Sequence, residues 1–354
     1  MPPAEATTSG TATTEGPPAW RKTLAPYTKP RLGRSLVDLA TSLLPFLLLL
    51  GAIIPLVHAF YPLALVLMVP AAGFQVRTFI VFHDCAHGSF LPSKRANKWL
   101  GRILGVIVWT PFGAWRHSHA MHHASAGDLD RRGDGDVPTM TVAEYRDAPF
   151  KARLAYRLFR NPAVMFTIGP LAAMIIAPRI PSKSARPRMR NSVLLTDLAL
   201  AVVIAAVCLV FGWQTFLLVQ VPMAIFAGGA GIWLFFVQHQ FEDVYWESAD
   251  HWSYDDAALR GSSYLKLPRV LQFFSGNIGL HHVHHLSAAI PNYNLQAAHD
   301  ENEVFHSVPV LSFWQGIRAT RLKLWDEESN RLVTFGEAAR APRAAGAPSA
   351  AARS

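Results

Sequence analysis

Residues 39–76 read LATSLLPFLLLLGAIIPLVHAFYPLALVLMVPAAGFQV, 38 positions without an Asp, Glu, Lys or Arg. One helix over that stretch is about 57 Å long, nearly twice the roughly 30 Å hydrocarbon core of a bilayer. Two membrane-spanning helices joined by a short turn fit instead, near 40–56 and 61–80. Pro55 and Pro62 bracket the expected turn, and Tyr61 suits the membrane interface. A second uncharged stretch, 198–241, has 44 residues and holds two more spans, near 192–211 and 215–237, with a turn at Gly212-Trp213-Gln214. Asp197 lies one turn into the third span, at the membrane edge, where an ionisable group costs least. Pro222 and the group Gly228-Gly229-x-Gly231 predict a kinked or closely packed fourth helix.

Two weaker apolar stretches remain. Residues 99–112 contain Arg102 and are too short to span. Residues 163–178 contain Gly169-Pro170 and are marginal. Were they to span, the basic loop 179–190 would face the opposite side from the basic stretch 94–102, against the usual asymmetry of Lys and Arg. The expected fold is therefore an all-α polytopic membrane protein of four spans with a cytoplasmic helical cap. The N-terminus, 81–191 and 238–354 share the cytoplasmic side of the inner membrane. The composition agrees: 51% of residues are hydrophobic and 16% charged, against about 25% charged in ordinary globular chains. Two cysteines make no disulfide framework. The net charge of +9 reads as basic loops on a membrane surface, not as nucleic-acid binding. Residues 1–29 and 326–354 read as mostly disordered tails around a domain at 30–325, and MPPAEATTSGTATTEG does not read as a signal peptide.

Ten of the 15 histidines fall in three short clusters. HDCAH sets His83 and His87 one helical turn apart. HAMHH puts His119, His122 and His123 on one face, with His117 just ahead of them. HHVHH does the same for His281, His284 and His285, with His282 as an extra candidate. A lone membrane-edge histidine is ordinarily a cap or a packed polar tip, but three such clusters on one side of a polytopic chain point to metal. Eight spacing-matched imidazoles exceed the needs of one ion, so two metals follow. Two redox irons (Fe2+/Fe3+) suit attack on unactivated C–H bonds, and no cysteine spacing supports an iron–sulfur centre. A metal transporter would carry ionisable groups along its spans, and these are nearly bare.

HDCAH, then WRHSHAMHH, then HHVHH, arranged around two pairs of spans, resembles the membrane fatty acid desaturases, the integral-membrane di-iron family with three histidine boxes. QHQFEDVYW at 238–246 and the tail HHLSAAIPNYNL resemble most closely the delta-12, or omega-6, acyl-lipid branch. The resemblance covers about residues 30–325. It implies that two irons are held by His83, His87, His119, His122, His123, His281, His284 and His285, with His239 as a ninth ligand. It implies O2-dependent desaturation of a long-chain acyl substrate, with electrons from a ferredoxin or cytochrome b5 type donor and its reductase. No GxGxxG or CxxC motif marks a redox module within the chain. Box three can begin at His281 or His282, and the spacing favours His281.

Ligating histidines need an acceptor on the other ring nitrogen. Asp84, Glu242, Asp243, Asp128 and Asp130 are candidates, and DLDRRGDGD at 128–136 is either a plain surface loop or a rim that orients box two. Asn277 is a candidate to hold a water against iron, and Trp115 reads as either an interfacial anchor or a packing residue beside the site. Arg77, Lys94, Arg95 and Lys98 are candidates to meet phosphate at the interface. Hydroxylation or ketolation of a carotenoid or another long apolar substrate is the competing chemistry, since the boxes serve both.

Overall fold

A computed structural model describes residues 18–133, 135–183 and 185–341. Four of its helices are long and apolar enough to cross a membrane: α2 (Leu32–Ala59), α3 (Tyr61–His87), α7 (Pro187–Phe211) and α8 (Trp213–His239). Before α2 lies a short α1 (Ala19–Leu24). Between the two pairs lie α4 (Lys94–Ile107), α5 (Phe112–Ser125) and α6 (Phe150–Phe159), and α9 (His281–Leu286) follows the second pair. Three short strands, β1 (Met140–Thr141), β4 (Leu324–Asp326) and β5 (Arg331–Val333), form one small sheet in the order β1-β4-β5. A second sheet pairs β2 (Tyr264–Lys266) with β3 (Val310–Ser312) in parallel.

Each span outruns its expected limits. Pro55 lies inside α2 and the turn is Phe60 alone, because Pro62 sits in the first turn of α3, where its missing N–H costs nothing. Asp38 and Arg77 both lie inside helices. They pair with each other across α2 and α3, so neither charge ends its span. Likewise Arg179 pairs with Asp197 at 2.6 Å, and α7 starts at Pro187. At 1.5 Å per residue, the 27 residues of α3 and of α8 exceed the hydrocarbon thickness, so their last turns project beyond it.

The 163–178 stretch is not among those four helices. Ile168–Arg179 is a short apolar helix that packs on α8. Gly228 permits that contact: a Cβ there would lie 2.5 Å from Met174 Sδ and 2.8 Å from Pro170 Cβ. The main core joins α2, α3 and α8 through Ile53, Met68, Ala71 and Val237. A second core, Leu24 with Val283, Leu286 and Phe305, seats α9. Much of both expected tails lies outside the described residues. Order nevertheless reaches into each, because Leu24 and Leu332 are apolar anchors that are fully buried.

Candidate metal centre

α3 ends on His83 and His87, and Gly88 in the left-handed region (φ 74°) closes the helix and turns the chain toward α4. α8 ends on His239. These are the ends that project from the spans, and both spans return to the same side of the bundle. α5 supplies His119, His122 and His123, and the short α9 supplies His281, His284 and His285, all buried except the half-buried His123. The i, i+3, i+4 spacing turns three imidazoles of each helix to one side.

The nine rings sort into two neighbouring groups. In the first, ligand atoms of His83, His87, His119 and His284 lie within 4.8 Å of one another. His123 joins them, its Nε2 being 2.9 Å from that of His284 and 3.2 Å from that of His119. His122, His239, His281 and His285 make the second group. Their Nε2 atoms close a ring: His122 to His239 3.1 Å, His239 to His281 2.9 Å, His281 to His285 3.1 Å and His285 to His122 3.2 Å. Adjacent residues serve different groups, His122 and His123 on α5 and His284 and His285 on α9, so the groups are side by side. The rings of His123 and His285 stack at 4.2 Å.

The outer nitrogens fix which way the protons point. His122 Nδ1 donates to Asp136, His83 Nδ1 to Asp84 Oδ1 at 3.1 Å, and His239 Nδ1 to the Gly261 carbonyl at 3.0 Å. Each bond places the proton on Nδ1 and turns the Nε2 lone pair inward. Burial, reinforced by neighbouring imidazoles, holds His119, His123, His281, His284 and His285 well below the usual histidine range. The rings are therefore neutral at pH 7, as metal ligands must be. The buried His87 Nε2 has no hydrogen-bond partner among the described residues. Where Nδ1 holds the proton, as at His122 and His239, Nε2 lone pairs facing one another at 3.1 Å repel unless a cation lies between them. That spacing suits nitrogens about 2.0–2.1 Å from a shared ion, so the residues fit two metal ions.

The sequence of residues 29–314 matches the family model described as fatty acid desaturase. The chain belongs to the fatty acid desaturase family. As a member, it is an oxidoreductase. It is 45% identical over 314 residues to a "Fatty acid desaturase" of Bacillus subtilis, 89% of each chain being covered. It is 29% identical over 224 residues to an "sn-1 oleoyl-lipid 12-desaturase" of Synechocystis, covering 62% of this chain and 63% of that one. An "sn-1 acyl-lipid omega-3 desaturase (ferredoxin)" of Synechocystis is 29% identical over 234 residues, 62% of each chain.

Around the histidines of this desaturase, the carboxylates divide in an order the sequence left open. Asp84 meets His83. Its other oxygen accepts from the Asn292 backbone N at 2.7 Å and Nδ2 at 3.0 Å, and Asn292 Nδ2 also lies 2.9 Å from Asp38. Of the run 128–136, its last member, Asp136, orients box two. Asp128 instead accepts from the backbone N of Asp130 and Arg131, and Asp130 from that of Ala249. Glu242 corrects the expectation: it pairs with Arg331 at 2.9 Å, its side chain 59% exposed, because the chain has left α8 three residues earlier and faces outward. Asn277 donates to the Asn292 carbonyl at 3.2 Å, so it braces the residue that holds Asp84. Of the two extra histidines, His117 is exposed. His282 faces His299 at 3.0 Å and packs on Phe305, outside both groups. Trp115 stacks on His119 at 4.4 Å. Asn292 lay unread in the IPNYN tail, and the Gly261 carbonyl has no side-chain signal at all.

Proposed function

We propose that this chain performs O2-dependent desaturation of a long, lipid-linked acyl chain at a di-iron centre. The observation that carries the proposal is the pair of all-imidazole groups set side by side where two spans end. His83, His87, His119, His123 and His284 would hold one iron, and His122, His239, His281 and His285 the other. When bound, the irons supply the oxidation by O2 that removes one hydrogen from each of two adjacent methylenes, giving an alkene and water. The protein holds the ligands in one tautomer through Asp84, Asp136 and the Gly261 carbonyl. Trp115 against His119 and Phe235 against His122 keep water from the inner rings.

Electrons come from a separate donor of the ferredoxin or cytochrome b5 type with its reductase. Support is the similarity to the Synechocystis acyl-lipid omega-3 desaturase (ferredoxin), together with a sequence in which no GxGxxG or CxxC motif marks a redox module. The active side is cytoplasmic on the inner membrane, since Lys94, Arg95, Lys98, Arg179, Arg186 and Arg188 sit at the same span ends as the histidines. Position twelve is the proposed site of the double bond, on the strength of the HHLSAAIPNYNL tail and the relative named as an oleoyl-lipid 12-desaturase. The test is fatty-acid mass spectrometry of a desaturase-deficient host expressing the chain with a ferredoxin and reductase. A new alkene at position twelve, absent with His284→Ala, is expected. Hydroxylated or keto products, or iron-loaded protein that leaves the acyl profile unchanged, would defeat the proposal in favour of oxygen insertion into another apolar substrate.

A further inference from the structure

A cavity of about 430 Å³ opens beside box one. Its wall is basic: Lys94, Arg95 and Lys98 from the first turns of α4, and Arg116 from α5, surround an opening whose inner side reaches His87. Among the described residues, none of these four cations has a carboxylate within salt-bridge distance. Three of them sit at the N-terminal end of a 14-residue helix with no acid in its first turn. Helix polarity favours anions there, so the arrangement stacks like charge on like charge. Such a cluster is stable when an anion joins it.

The cluster is also held rigidly. Asn97, buried in the same turn, donates through Nδ2 to the carbonyls of Leu91 at 2.7 Å and Ser93 at 3.0 Å, and its Oδ1 accepts from the Leu91 N–H at 3.0 Å. Ser93 caps the helix by accepting from Ala96 N. The loop joining box one to α4 is thus stitched, and the backbone that bears the three cations keeps a fixed place relative to His87. Arg77, the fourth residue expected at phosphate, is instead committed to Asp38 and the Phe273 carbonyl.

The outer side of α4 says where the anion comes from. Trp99 and Ile103, one turn apart, are 54% and 59% exposed, and Arg102 lies over the Trp99 ring at 4.9 Å. The helix packs on the spans α3 and α7. An exposed Trp and Ile stripe flanked by Lys and Arg, on a helix laid against spans, is the composition of a segment lying at the lipid head groups. A phosphate in the cavity is then at the level of the lipid phosphates.

We propose that this cavity binds the phosphate of a membrane phospholipid. Resting on the desaturase reading, we further infer that the bound phospholipid is the acyl substrate, its head held beside His87 while the chain runs inward. The experiment uses the full-length, iron-loaded protein and two soluble probes with equal acyl chains: dihexanoyl phosphatidylglycerol, and dihexanoyl glycerol bearing galactose in place of the phosphate head. The phosphatidylglycerol should bind at least about tenfold tighter. A Lys94→Gln/Arg95→Gln/Lys98→Gln variant should lose that preference, and a Lys94→Arg/Lys98→Arg variant should keep it, with iron content equal in all three. Coenzyme A and inorganic phosphate serve as competitors. If coenzyme A displaces the lipid at a lower concentration than phosphatidylglycerol itself binds, or if phosphate binds while the lipid does not, the phospholipid assignment is overturned. Equal affinity of the triple-Gln variant overturns the site. Product analysis of the same samples separates the two layers. Alkene formation with no effect of the triple variant sinks the cavity alone. A phosphate preference without alkene from any chain leaves a lipid site and sinks the desaturase reading.

Discussion

Asp136 shows how much a single side chain contributes at this centre. It accepts the Nδ1 proton of His122, the ring that shares Nε2 contacts with both His239 and His285. Without it His122 is free to take the other tautomer, with a proton where the lone pair must point. Asp136→Ala should lower the affinity of the second group for iron by about 10–100-fold. Chelator competition followed by metal analysis would read this, and undiminished iron retention would rule it out. Asn292 works one step further out, giving a backbone and a side-chain N–H to Asp84. Asn292→Ala should cost about 1–3 kcal/mol in stability, since buried carboxylate oxygens lose a donor. Thermal unfolding of the purified protein measures it, and an unchanged midpoint would show that the backbone N–H of residue 292 is enough. The run 128–136 was legible as a rim that could orient box two, but neither Asp136 within it nor Asn292 was. Asp136 is one of several acids in DLDRRGDGD with no periodicity to single it out, and Asn292 lies 208 positions from the carboxylate it serves.

At the scale of elements, Asp38 and Arg77 explain where sequence reading stopped short. The sequence places the first span after Asp38 and the end of the second only three residues past Arg77, yet these two meet between α2 and α3 and carry the helices onward. Side chains this buried tolerate the loss of both charges better than the loss of one. Arg77→Met alone leaves Asp38, among the described residues, with Asn292 as its hydrogen-bond donor and no ion-pair partner, and should destabilise by about 3–5 kcal/mol, whereas Arg77→Met with Asp38→Leu should recover most of that. Unfolding in mixed detergent would rank the two variants, and a double variant no better than the single would contradict the argument. What was legible at this scale had strong periodicity behind it. The three histidine boxes lie on helices as their spacing demands, and the Gly228 group marks a close contact. The short strands and the π-helical turn at Leu171–Ile176 carried no such signal, being two to six residues long and set by their neighbours.

For the whole molecule, four elements must converge to complete the centre: the ends of α3 and α8, α5 and α9. Each brings imidazoles into one largely buried space, and that couples stability to protons and to metal. In an unfolded chain these histidines titrate near pH 6.5. In the fold, burial and mutual crowding hold His119, His123, His281, His284 and His285 well below that. Above about pH 6.5 neither state takes up these protons, so they make stability no function of pH. Below it, the unfolded chain binds protons that the fold cannot accept, and stability falls as the pH falls. The metal-free protein should therefore have a flat unfolding midpoint from about pH 8 to pH 7 and a steep decline beneath pH 6.5. Iron binds only the neutral rings, and only in the fold, so it should raise the midpoint at pH 7 and lose its effect as acid displaces it. The two curves, with and without iron, should thus converge on the acid side. A metal-free protein equally stable at pH 7 and pH 5, or a midpoint that iron leaves unmoved at pH 7, would mean that the two rings of imidazoles hold together by packing alone.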